Sequence, residues 1–206
     1  MIYEVTFSDH NKKEFEHIQH KAWAVAKRLN SKADKFGFNI NSTYQCEIYP
    51  EYDYSPKEEW NSEDLTWDNF IKEFPEYIDF CDKFNLYHGC TMVSRPFDYA
   101  HRHGNGEHTV TYPLQYCDGV RVEMLTPHCI DQLNQTDIHW LTQQQSYDVD
   151  LVYTCSTGKP FLLKANHFHR TPPEHFKTGK TIFTIWHSLS TFTKDDVSTL
   201  IHKLSK

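Results

Sequence analysis

The feature that most constrains this chain is a change of hydrophobic period near Leu86. Before it, apolar residues recur every three to four positions, as on one face of a helix; after it they follow the shorter period of extended chain. LYHGCTMVSRPF, HTVTYPL, GVRVEML, VDLVYT, PFLLKA and KTIFTIWHSL each read as a strand, and turn-forming residues separate them. No parallel crossover is evident between these runs. Helices followed by a succession of strands imply an α+β fold, in which helices buttress one sheet of an antiparallel sandwich or barrel. The version that best places the histidines discussed below is a double-stranded β-helix, the jelly-roll or cupin-like architecture.

The first 85 residues supply the buttress. IYEVTF at 2–7 alternates as a strand, and Ser8 or Asp9 then caps a helix over 11–30. Phe15, Ile18, Ala22, Val25 and Leu29 lay one apolar stripe along that helix. Residues 31–42 read as a loop, 43–49 as a strand, and 50–60 (PEYDYSPKEEW) as an acidic, tyrosine-rich loop. Two short helices follow at 65–74 and 75–85, the second opening on Pro75, whose fixed φ suits a first helical turn. Trp67, Phe70, Ile71, Phe74, Ile78, Cys81 and Phe84 are their expected core residues. Within the strand-rich part, 126–148 is a polar, Gln-rich insertion anchored by Trp140 and Leu141. The chain closes in a helix over 194–204, started by Thr193 and Asp196 and facing inward with Val197, Leu200, Ile201 and Leu204. Without repeats or low-complexity linkers, residues 1–206 read as one domain: buttress 1–85, β-core 86–192, C-terminal helix 193–206.

Composition removes several function classes. A chain of 206 residues can bury a real core. Its formal net charge of −7 lacks the basic footprint of a nucleic-acid binder. Seven glycines and the absence of GxGxxG or GxxxxGK[ST] argue against a glycine-rich nucleotide fold. No apolar run is long enough to span a bilayer, and the N-terminus carries no signal-peptide pattern. A cytoplasmic location without membrane partners is the expectation. The six cysteines contain no CxxC and are expected to be reduced and packed as small apolar groups.

The chemistry concentrates in two stretches. Residues 99–114, YAHRHGNGEHTVTYPL, hold His101, His103, Glu107 and His108. Residues 159–190 bring His167 and His169 on a strand-like run and Lys180 at the head of the last strand. On a strand, residues two apart share a face, so His101 and His103 can reach one metal ion. A third ligand must come from a distant strand, where His169 and His167 are available. Neutral imidazole suits Fe, Zn, Cu or Ni, and three protein ligands with open positions mark a catalytic site. His10, His17, His20, His88, His128, His139, His175, His187 and His202 read as surface or core residues.

RPFDYAHRHGNGEHTVTYPLQYCDG and PFLLKANHFHRTPPEHFKTGKTIFTIW together resemble the core of the Fe(II)/2-oxoglutarate-dependent dioxygenases. The likeness is to aspartyl/asparaginyl and prolyl hydroxylase-like members and covers about half the chain, 90–190. It implies His101 as first ligand and His169 as distal ligand. Lys180 would stand where the family has an Arg that grips the 2-oxoglutarate carboxylate, and Thr111, Tyr112 and Trp186 would line that pocket. Position 103 departs from the family's His-x-Asp/Glu pair, because it holds His. Shifting the register to make His103 the first ligand places Asn105 at the acidic position. Lys also cannot reproduce the bidentate geometry of Arg. The run His101-Arg102-His103 followed by Glu107 is similar to the HxHxxxE core of cupin dioxygenases that hold iron with three histidines, and Glu107 is itself a candidate ligand.

Three expectations stand. The first is an Fe(II)- and 2-oxoglutarate-dependent oxygenase with metal ligands His101, His103 and His169. The second is a three-His cupin-type dioxygenase or isomerase indifferent to 2-oxoglutarate. The third is a non-catalytic binding protein on the same scaffold. The substrate is a small molecule or peptide, and the loops 50–60 and 126–148 are expected to rim its pocket, their acidity favouring a cationic or neutral one. Oligomeric state is not legible.

Overall fold

The 3–4 repeat from Phe15 to Val25 becomes the buried stripe of α1 (Asp9–Leu29). Ser8 caps it, its hydroxyl accepting the amide of Asn11 at 3.3 Å. The Asn11 side chain then donates to the carbonyls of Lys203 (2.8 Å) and Leu204 (3.2 Å), near the end of the closing helix. Carbonyls that a helix leaves without internal partners are thereby satisfied, and the first and last helices are tied together. The computed structural model describes residues 2–31, 44–50, 61–95, 98–101, 108–115, 117–126, 148–172, 182–188 and 194–206. The other helices among the described residues are α2 (Trp67–Glu73), α3 (Glu76–Phe84) and α4 (Lys194–Ser205). Pro75 caps α3 one position earlier than expected, and Asn85 ends it in the left-handed region at φ 55°. Asn is one of the few residues that tolerate that conformation.

Ten strands are described: β1 (Ile2–Glu4), β2 (Tyr44–Ile48), β3 (Cys90–Arg95), β4 (Asp98–His101), β5 (Thr109–Pro113), β6 (Arg121–Leu125), β7 (Val149–Thr154), β8 (Phe161–Leu163), β9 (His169–Thr171) and β10 (Ile182–Ser188). They form a six-stranded sheet in the order β1-β8-β5-β10-β3-β2 and a four-stranded sheet in the order β4-β9-β6-β7. Every described pairing is antiparallel. From β3 onward the pairings nest: β3 with β10, β4 with β9, β5 with β8, and β6 with β7. A nested series of this kind is one long ribbon folded across two layers. The expected α+β architecture with antiparallel sheets is present. Two short strands, β4 and β9, join the six runs expected in the core; β9 begins only at His169, so His167, expected on one strand-like run with it, lies in the link before the strand.

Register explains where the core lies. Cys46, Met92, Ile185 and Tyr112 form one row across the large sheet, and His187 and Val110 share its face. The ring of Phe15 on α1 lies 5.9 Å from that of Tyr112 and 6.3 Å from that of His187, so this face looks at the helices. Phe70, Phe74, Tyr77, Phe80 and Phe84 complete the layer, all buried. Each such ring contributes about 2–3 kcal/mol through removal from water. The acidic loop 51–60, the insertion at 127–147 with Trp140 and Leu141, and the expected cap at Thr193 lie outside the described residues. Among the described residues, no helix is long and apolar enough to cross a membrane. Among the described residues, Cys46, Cys81, Cys90, Cys117 and Cys155 are buried and form no disulfide.

Candidate functional site

The opposite face of the large sheet carries different chemistry. Alternation turns Thr91, Thr109, Thr111 and Thr184 away from the helices, together with Glu47, Val93, Phe161 and Leu163. The ring of Phe161 lies 4.6 Å from that of Tyr153 of the small sheet, tilted at 45°, which identifies this face as the one between the sheets. Near β7 and β8 the intersheet space is apolar, closed by Phe161, Tyr153, Val122 and Met124. Toward β5, β10 and β3 it is floored by buried threonines. The hydroxyls of Thr111 and Thr184 are buried without a hydrogen-bond partner among the described residues. Buried hydroxyls normally find one, so a polar floor of this kind suits a polar ligand.

The small sheet delivers histidines to the same space. His101 ends β4 and His169 begins β9, and the two are register partners. His169 is in turn the partner of Met124, and Met124 of Leu151. Residues directly opposite share a face, and Met124 belongs to the apolar wall, so the row containing His101 and His169 faces the large sheet. The imidazole centroids lie 4.4 Å apart with planes at 55°. The β4/β9 register shifts between Asp98 and His101, an irregularity of the sort that re-aims a side chain.

Hydrogen bonding sets the tautomer of His169. Its Nδ1 lies 2.8 Å from the carbonyl oxygen of His167. A carbonyl only accepts, so Nδ1 carries the proton and the lone pair sits on Nε2, the arrangement of a metal-binding imidazole oriented by its backbone. His167 is used differently. Its own Nε2 donates to the carbonyl of Leu125 at 3.1 Å, while the Leu125 amide donates to the carbonyl of Phe168 at 2.9 Å. These bonds pin the short link from β8 to β9 onto β6 and so aim His169. Of the two histidines, His169 is the inward-facing one and His167 is a brace.

The other expected site residues divide as follows. His103, Glu107 and Lys180 lie outside the described residues. Trp186 stands at the register position opposite Thr91 and Thr111. Tyr112 alternates with Thr111, so one strand cannot turn both into the same space. Thr111 faces the small sheet, whereas Tyr112 lies under α1, against Phe15 and His20, with burial pushing its phenol up to about 12. That placement takes Tyr112 out of the intersheet pocket. Among the described residues, no group of three His, Cys, Asp or Glu is arranged to hold a metal ion.

Two buried polar networks were not expected from the sequence. On the outer face of the small sheet, Arg170 donates from Nε to Glu123 at 2.8 Å, both side chains buried, and Arg121 approaches the same carboxylate at 3.4 Å. Alternation in GVRVEML does place Arg121 and Glu123 on one face, but their partner emerges only when β9 pairs with β6. Behind the large sheet, His187 bonds Tyr77 and Gln19. Burial raises the thiols of Cys81 and Cys155 to about 12, which keeps them protonated and unreactive.

No protein-family model matches the chain, and no curated protein shows significant similarity to it.

Proposed function

We propose that this chain is an Fe(II)- and 2-oxoglutarate-dependent oxygenase on a double-stranded β-helix, acting on a small-molecule or peptide substrate. One observation carries the reading: His101 and His169, far apart in sequence, are register partners across β4 and β9 and face the space between the sheets. The nested strand pairing supports the architecture, since a folded ribbon of eight strands in two sheets is how a jelly roll is wound.

Two imidazoles lie side by side, with the lone pair of His169 on Nε2, and these suit ferrous iron. The third ligand comes from His103 or Glu107, in the stretch that begins directly after His101. When bound, iron and 2-oxoglutarate would supply the electrons that activate O2, one oxygen atom going into a substrate C–H bond and the other into succinate as 2-oxoglutarate loses CO2. The chain's own residues bind and orient. Thr111 and Thr184 offer hydroxyls to the co-substrate's oxygen atoms, and Lys180, two positions before β10, pairs with its distal carboxylate. Phe161, Tyr153, Val122 and Met124 exclude water from the closed side of the space.

The test is metal content of tag-free protein, then anaerobic Fe(II) and 2-oxoglutarate titration followed by visible absorption. A charge-transfer band that needs both additions is the expected result. Iron binding without that band supports the three-His cupin-type reading. Failure to bind iron leaves a binding protein.

A further inference from the structure

We infer that β7 is a self-association edge: it pairs antiparallel with β7 of a second copy of this chain and joins two small sheets into one. The inference goes beyond the oxygenase reading and does not depend on it.

The two sheets present four edge strands among the described residues, β1, β2, β4 and β7. Three of them are poor templates for pairing. β1 is three residues long. On β2, Asn61 accepts the Glu47 amide at 3.3 Å and donates to the Glu47 carbonyl at 2.6 Å, so a side chain takes the place of a neighbouring strand. β4 has four residues, and its register with β9 shifts between Asp98 and His101. Short, capped and irregular edges are how sheets avoid pairing with other chains. β7, with six residues, is the exception.

Backbone alternation identifies the groups that β7 turns outward. The Cys155 amide donates to the Val120 carbonyl at 2.7 Å and the Cys155 carbonyl accepts the Gly119 amide at 3.0 Å, so Cys155 bonds toward β6. The Leu125 amide of β6 donates to Phe168, away from β7, and Glu123, two positions earlier, is turned the same way. Val152, the register partner of Glu123, therefore makes no ladder bond to β6, and neither does Thr154. Their N–H and C=O groups point away from the sheet and have no partner among the described residues.

The side chains agree with the backbone. Leu151 (39% exposed) and Val152 (47%) are the exposed large hydrophobics among the described residues. They lie on opposite faces of the sheet, Leu151 in the row of Met124 and Val152 in that of Glu123. A partner packed on either face would cover only one of them. A strand lying alongside covers both and supplies the missing backbone bonds.

β7 is complementary to itself. A two-fold axis at Tyr153 sets Val152 opposite Thr154 of the second copy twice over, and each pair exchanges both of its bonds, about four in all. Leu151 then faces Cys155, Tyr153 faces its own mate, and no charged residue occurs in 151–155 to oppose a like charge. Asp150, left over where the β6/β7 register shifts, ends the regular stretch and limits the seam. The contact is isologous, so it uses up the edge and stops at two copies. A seam this short predicts micromolar association, not an obligate dimer.

The experiment is sedimentation velocity of the full chain from micromolar to millimolar concentration, with salt to screen the repulsion between chains of net charge −7. The mass is expected to rise from monomer to dimer and no further. Amide exchange read by NMR on the same samples locates the seam. The Val152 and Thr154 amides should exchange fast in dilute protein and about tenfold more slowly in concentrated protein, while Leu151 and Tyr153 stay protected throughout. Val152→Pro removes an N–H that the monomer leaves unused, and Val152→Lys puts a charge into the seam. Each should weaken association about tenfold and leave the melting temperature near that of wild type. A chain that stays monomeric overturns the proposal and leaves a foreign extended peptide as the occupant of the edge. A dimer that forms without slowing the Val152 and Thr154 amides overturns it too, and neither result needs a variant to fold. Protection of those amides that is equal at every dilution would assign the edge to a segment of the same chain, again against the proposal.

Discussion

The hydroxyl of Tyr77 lies 3.1 Å from Nδ1 of His187, joining α3 to β10 at the base of the helical layer. Nε2 of the same imidazole lies 2.8 Å from Oε1 of Gln19 on α1. The amide oxygen accepts, so Nε2 carries the proton and Nδ1 accepts from the tyrosine. One neutral tautomer thus links two helices to the sheet. The side chain is fully buried, and desolvation drives its pKa down to about 3.

A pH dependence follows from that depression. Between the ordinary histidine value of 6.5 and about 3, the unfolded chain takes up a proton that the folded chain refuses. Stability is therefore full above 6.5 and falls as pH drops through this window. The loss is about 2 kcal/mol by pH 5 and on the order of 5 kcal/mol at its limit. Urea unfolding of wild type and His187→Phe at pH 7 and pH 5 measures it. The variant is expected to be less stable at pH 7, because Tyr77 and Gln19 lose a buried partner, but to lose less between the two pH values. Parallel losses would remove His187 from the account.

The buried pair Arg170–Glu123 makes a second prediction. Removing Arg170 leaves the buried Glu123 carboxylate with only the longer, half-exposed contact to Arg121, so Arg170→Met should cost about 3 kcal/mol. Replacing both, Arg170→Met with Glu123→Leu, should recover most of that loss, since an apolar pair needs no charge compensation. Chemical denaturation of the two single variants and the double variant reads the coupling. Additive losses would mean that the pair does not act as a unit.

What the sequence revealed and concealed follows from the length scale of each signal. The α1 stripe spans 21 residues with its cap, long enough for periodicity to identify it and most of its core residues. The strands flanking the site, β5 and β10, were legible for the same reason. β4 and β9, which carry His101 and His169, have four and three residues and mixed polarity; they exist because the ribbon pairs them. Alternation also misleads at β5, where TVTYP is buried on both faces. Periodicity alone could not tell that Tyr112 faces helices and Thr111 faces the other sheet. Nor could it find Tyr77–His187, whose partners are 110 residues apart.

Gly89 yields a steric prediction. Its φ is +141°, and an added Cβ would lie 2.2 Å from the Tyr49 ring and 2.6 Å from the carbonyl oxygen of Ile48. Gly89→Ala meets both a backbone conformation rarely open to L-residues and a backbone clash, so a loss of at least ~2 kcal/mol is expected. Trimming the ring in Gly89→Ala/Tyr49→Ala removes the side-chain clash but leaves the backbone conformation and the Ile48 carbonyl, and only part of the stability should return. Thermal melts of the three variants decide it. Full rescue would show that the ring alone holds glycine there.

The last prediction separates His169 from His167, which share a segment and differ in role. His169 has Nδ1–H committed to the His167 carbonyl, leaving its lone pair on Nε2, and its ring centroid lies 4.4 Å from that of His101. His167 contributes that carbonyl from its backbone, and its ring donates to Leu125 instead. His167→Ala therefore keeps the group that orients His169 and loses a brace worth about 1 kcal/mol. Fe(II) affinity should change by only a few-fold in His167→Ala, whereas His169→Ala should lose it by 100-fold or more, as should His101→Ala. Anaerobic Fe(II) titration of the three variants is the measurement. If His167→Ala also loses iron and His169→Ala retains it, the two histidines exchange roles and the ligand must be sought on the β6 side of the loop.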